Sequence, residues 1–116
     1  MSFLLKYAEE ADAIYKVLKG DAIKAFENRK RTGKTKASKQ EGIFKQVLKT
    51  LDLLAEDPRH PSLRTHEYSV MPNPLNPSQK VFEAYAQNNT PGAYRVFGCY
   101  GPEKGDITVI TITAHP

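Results

Sequence analysis

Glu83, Arg95 and His115 are the residues whose types and spacing are suited to chemistry on a phosphodiester. A carboxylate can take a proton, a guanidinium can hold phosphoryl oxygens, and an imidazole can give or take a proton near neutral pH. They meet only if the chain carries them to one surface. Three β-rich runs offer that surface: Val81–Ala86, Tyr94–Gly101 and Asp106–Ala114. Turn clusters at Asn88–Gly92 and Gly101–Gly105 separate them, so the runs predict an antiparallel meander. A hairpin centred on Asn89 pairs Glu83 with Arg95 and Ala84 with Tyr94; one centred on Glu103 pairs Arg95 with Thr111 and Val96 with Ile110. Directly opposed residues share a face. Phe82, Ala84, Tyr94, Val96, Ile110 and Ile112 then form the apolar side, where Gly98 also falls. Val81, Glu83, Tyr85, Arg95, Phe97, Thr111, Thr113 and His115 form the other, with Cys99 half-exposed beside them. His115 lies about 13 Å along the strand from Arg95, a gap that a phosphate between two long side chains can close. On geometry alone, Glu83 opposite Arg95 is equally a cross-strand ion pair worth about 0.2–1 kcal/mol. Tyr85 and Phe97 are as suited to a partner-binding patch as to base stacking.

So short a meander must pack against something. Phe3–Tyr7 reads as an edge strand. A helix follows from Glu9, with Ala11, Ile14/Tyr15 and Leu18 along one stripe. Gly20-Asp21 reads as a C-terminal glycine followed by an N-cap, so this helix is expected to end or kink there, with an apolar face resuming to Arg31. Ser38-Lys39-Gln40-Glu41 is a capping box, and Ile43/Phe44, Val47/Leu48, Leu51 and Leu54/Ala55 continue a helix that Asp57-Pro58 stops. Residues 58–80 are a proline-rich connection in which 62–68 can form a short strand and 71–79 reads as loop. The order β-α-α-β-β-β implies a single α+β domain over 1–116, with two N-terminal helices packed on one face of a small, mainly antiparallel sheet.

The chain has 116 residues, a net charge of +4 and one cysteine, Cys99. No internal disulfide is possible, no apolar run reaches the ~20 residues of a membrane span, and no signal peptide is evident, so the expected location is cytoplasmic with no membrane partner. The positive charge is concentrated: Lys24, Arg29, Lys30, Arg31, Lys34, Lys36, Lys39 and Lys45 face only Glu27 and Glu41. That stretch is either a solvated helix end or a surface for nucleic acid or an acidic partner.

Several motifs resemble the RelE/ParE superfamily of bacterial toxins. They are Ala93-Tyr94-Arg95-Val96-Phe97, the C-terminal Ile107–Pro116 run ending Ala-His-Pro, the helix ending Glu56-Asp57-Pro58-Arg59, and His60-Pro61-Ser62-Leu63-Arg64. The resemblance spans the whole chain and its element order. It implies a toxin held by a cognate antitoxin, cleaving ribosome-bound mRNA beside rRNA, and meeting operator DNA only through that antitoxin. The implied chemistry needs no metal and no cofactor: the RNA 2′-OH attacks the adjacent phosphorus. Arg95 occupies the position of the strand arginine that holds the scissile phosphate, and His115 that of a C-terminal general acid. Where lysines stand in RelE itself, this chain has Glu83 and Tyr85, so Glu83 and His66 compete as the base. Arg64, Arg59, Tyr85 and Phe97 are implied as substrate-binding groups. Gly98 replaces a large aromatic that related sequences tend to carry. Two further readings follow from the same resemblance: a non-enzymatic, ParE-like poison of DNA gyrase, and a degenerate protein that only binds an antitoxin or acts as co-repressor.

Overall fold

A computed structural model describes residues 2–87 and 92–114. Five strands and two long helices make an α+β fold. β1 (Leu4–Tyr7) leads into α1 (Glu9–Arg31) and α2 (Lys39–Glu56). A 3₁₀ turn (Pro61–Leu63) then precedes β2 (His66–Tyr68), β3 (Val81–Tyr85), β4 (Tyr94–Tyr100) and β5 (Asp106–Ala114). The sheet order is β1-β5-β4-β3-β2. β1 runs parallel to β5 and every other pairing is antiparallel.

α1 passes through Gly20-Asp21 without a break. A mid-helix glycine costs roughly 1 kcal/mol relative to alanine. Tertiary contacts outweigh that cost here: Ala22 is buried, and Arg29, two turns further on, is held by Glu41 of α2. Glu9, Glu10 and Asp12 sit in the first turn and Arg29, Lys30 and Arg31 in the last, each sign where the helix dipole favours it. At the start of α2 the expected capping box is formed: the Glu41 amide donates to Ser38 Oγ (3.2 Å) and the Ser38 amide to Glu41 Oε2 (2.8 Å). Both helices pack on one sheet face around Ala11, Val47, Leu51, Leu54, Phe82, Val96, Val109 and Ile112.

Both hairpin registers are offset by two residues from the expected ones. Arg95 lies opposite Tyr85 and Thr113, while Glu83 lies opposite Phe97 and His66. A shift of two preserves face assignment, so Glu83, Tyr85, Arg95 and Phe97 do share one side. The ion pair becomes diagonal rather than directly opposed. The ladder also breaks between Phe97 and Gly98, where Phe97 pairs with Thr111 but Gly98 with Val109. Ile110 is the extra residue, and it lies outside the core facing the helices instead of within it. Gly98 keeps to the helix side, where a Cβ would meet Phe82 Cζ at 2.8 Å. The Phe82 ring fills the space that a larger residue at 98 would need.

The second sheet face is buried as well. Val81, Glu83, Phe97 and Cys99 on it are each no more than 2 % exposed. Cys99, expected to be half-exposed, is therefore enclosed, and burial pushes its thiol pKa up. The Tyr68 ring lies 4.8 Å from Phe97. The proline-rich segment after β2 is folded about the buried Asn73, whose Oδ1 accepts the Leu75 and Asn76 amides. Leu75 lies beside Gly101, at the end of β4.

Candidate functional site

Glu83 is carried inward by β3 and sits between an imidazole and a guanidinium. One carboxylate oxygen accepts Nη1 of Arg95, the neighbour one strand over on the same face. The other lies 2.6 Å from Nε2 of His66, directly across on the edge strand β2. His66 Nδ1 lies 2.9 Å from the Arg64 carbonyl oxygen. A carbonyl only accepts, so Nδ1 carries a hydrogen. The row then reads imidazole, carboxyl, guanidinium.

Burial grades along that row. The Glu83 side chain is 2 % exposed, that of Arg95 9 % and that of His66 46 %. Nη1 is the one Arg95 nitrogen with a protein acceptor among the described residues, and Nε is buried with none. A buried guanidinium nitrogen without an acceptor is an exception to the usual pairing of buried polar groups. The guanidinium also lies 5.2 Å from the centroid of the Phe97 ring. Phe97 is thus enclosed by Arg95 and Tyr68 and offers no open face to a base. Tyr85 does: it is half-buried, its ring 5.6 Å from that of His66.

Two clefts flank the exposed end of the row and share Arg64. One, of about 450 Å³, is lined by Arg59, His60, Arg64, His66 and Tyr100. The other, of about 660 Å³, lies among Gln46, Ser62, Arg64, Tyr85 and Gln87. Arg64 has a left-handed backbone (φ 49°) that closes the 3₁₀ turn. It is exposed, and its guanidinium has no acceptor among the described residues. His60 Nδ1 and Ser62 Oγ are 2.7 Å apart beside it.

The structure therefore brings together His66, Glu83, Arg95, Tyr85 and Arg64, with Arg59 on the neighbouring cleft. His115 lies outside the described residues. Gln46 and Gln87 were not singled out from the sequence, and Ser62 entered only within the His60–Arg64 motif. Gln87 had a weak signal, two residues beyond Tyr85 at a strand end; Gln46 had none, because it is one exposed position on α2. Among the described residues no three His, Cys, Asp or Glu side chains converge as metal ligands, and no helix is long and apolar enough to cross a membrane.

No protein-family profile matches the chain, and no curated protein sequence matches it. A solved structure does: the archaeal RelE–RelB complex from Pyrococcus horikoshii OT3 has a chain similar to this one with a TM-score of 0.56. The match covers 98 % of this chain and 96 % of that one at 11 % sequence identity. The chain thus has a RelE-like fold, with two helices on one face of a five-stranded mixed sheet.

Proposed function

We propose that this protein is the toxin of a toxin–antitoxin pair and cleaves mRNA on the ribosome. The observation that carries the reading is the His66–Glu83–Arg95 row, which ends in an exposed imidazole and holds a buried guanidinium nitrogen with no acceptor among the described residues. In the reaction the RNA 2′-OH gives its proton to solvent water, its oxygen bonds to phosphorus, and the bond from phosphorus to the 5′-oxygen breaks. The products are a 2′,3′-cyclic phosphate and a 5′-hydroxyl. Arg95, with the His66 ring beside it, stabilises the extra charge on the pentacoordinate phosphorus. In this reading His115 protonates the departing 5′-oxygen. Glu83 is a positioning residue in this reading: both its oxygens are engaged and it is nearly inaccessible, so it orients His66 and Arg95 instead of meeting the 2′-OH.

The burial of Glu83 and Arg95 favours a second reading, a protein that binds its antitoxin without cleaving RNA. Expression in cells, with RNA ends sequenced, separates the two. Cleavage with 5′-hydroxyl ends is expected from the wild type. His66→Gln and Arg95→Lys should reduce it about a hundredfold or more, as loss of one transition-state donor does. His66 stands at the sheet edge, so its variant tests the site without disturbing the core. Wild-type levels of cleavage by both variants would overturn the assignment. A wild type that produces no RNA cleavage leaves the binding reading in its place.

A further inference from the structure

We infer that the cleft between α2 and the end of β3 is a nucleobase site that favours bases bearing a carbonyl on the edge they present. This deepens the proposed ribonuclease reading and rests on it for the identity of the ligand as RNA.

The cleft exists because β2 is short. Its pairing ends at His66 opposite Glu83, so β3 has no strand neighbour alongside Ala84 and Tyr85 on that side. The opening lies directly beside the row: Arg64, in its wall, accepts the His66 Nδ1 hydrogen through its carbonyl, and the Tyr85 ring flanks the His66 ring. A base entering here lies next to the phosphate that Arg95 and His66 would hold. The volume, about 660 Å³, falls within the roughly 300–1,000 Å³ of sites for small organic groups. Tyr85 supplies a ring for stacking, the usual means of holding an unstacked RNA base.

The edge preference comes from Gln87. Its Oε1 accepts the Tyr94 backbone N–H at 2.8 Å. A backbone N–H can only donate, which fixes the orientation of this amide. Oε1 is occupied, and the Nε2 hydrogens have no acceptor among the described residues. The Arg64 guanidinium also only donates. Two donor groups thus line the cleft, with the Gln46 amide able to take either role. Uracil O4 and guanine O6 with N7 complement donors; the exocyclic amines of adenine and cytosine do not.

Nucleotide binding and cleavage mapping together test the inference. In NMR titrations of the full chain with nucleoside monophosphates, GMP and UMP should perturb the Gln87 side-chain amide and the Tyr85 ring. AMP and CMP should bind about tenfold more weakly. Gln87→Glu keeps an oxygen for the Tyr94 N–H but replaces the Nε2 donor by an acceptor, so it should reverse the order. Gln46→Ala should weaken all four without reversing it. Equal binding of the four, or an order unchanged by Gln87→Glu, overturns the inference. Mapped cleavage sites should show the same preference at one position beside the cut. RNA cleavage whose site preference survives Gln87→Glu overturns the base site and leaves the ribonuclease reading standing. Ordered nucleotide binding in the cleft by a wild type that cleaves no RNA does the opposite.

Discussion

With Nη1 on Glu83 and Nε left without an acceptor, Arg95 links the stability of the sheet to the chemistry proposed at its surface. A charge placed this deep persists because the partner charge is placed with it. Removing one member of a buried pair leaves the other uncompensated, at a cost of about 3–5 kcal/mol, whereas replacing both is far milder. Arg95→Met should therefore destabilise by about that amount in urea unfolding. The double change Arg95→Met with Glu83→Gln should recover most of it, since the neutral amide no longer demands a cation. A single-variant loss below about 1 kcal/mol would show that the pair is not energetically coupled. His66 should matter less to stability, because nearly half of it is in water. The same argument explains why the cross-strand value of about 0.2–1 kcal/mol does not transfer to this pair: it describes partners on a solvated sheet face.

At the scale of elements, α2 begins with an arrangement that carries a pH signature. Arg29 of α1 places Nη2 2.9 Å from Glu41 Oε1, and the capping box adds the Ser38 amide. The Arg29 guanidinium, then the Ser38 amide, hold the Glu41 carboxyl at about 2, below its usual 4.5. A folded-state pKa below the unfolded one means that the contribution is present above about pH 4.5. It is lost as pH falls from there through about 2. Glu41→Gln keeps the cap geometry and removes the charge. Its melting temperature should lie below that of the wild type at pH 7, and the gap should close towards pH 2; a gap that stays constant with pH would exclude the ionic contribution. This cap was legible in the sequence because it is built within four residues. Face assignment on the meander was legible too, since a period of two survives a register error of two. The register itself was not, because the turn residues fix composition better than length. Nor was the Ile110 bulge, which a β-branched run conceals. Gly20-Asp21 reads as a stop, and only tertiary packing on α2 carries α1 through it. The burial of Glu83 and Arg95 was hidden for a related reason: Tyr68 against Phe97 and His66 against Glu83 both come from a three-residue strand, too short for a periodicity to announce it.

The whole molecule is elongated, 52 × 26 × 25 Å. The helices account for the long axis. The fully buried positions of α2 all lie from Val47 onward, and in α1 nothing beyond Ala22 is buried. The far end of the helical hairpin therefore rests mainly on itself, and it carries the basic stretch. Arg29 is committed to Glu41 there. Lys30, Arg31, Lys34 and Lys36 are exposed and make no salt bridge among the described residues. For the antitoxin of the proposed function, the four exposed cations are available to an acidic segment, while Arg29 holds the two helices together. Neutralising all four to glutamine should weaken binding of that antitoxin by roughly fourfold to several hundredfold, taking about 0.2–1 kcal/mol for each surface charge. The loss should appear largely in the association rate, with a flatter salt dependence, as expected for charges that steer encounter. Arg29→Gln should instead lower the melting temperature and leave the salt dependence of binding nearly unchanged. Antitoxin binding that keeps its affinity and its salt slope in the fourfold variant would place the antitoxin elsewhere on the molecule.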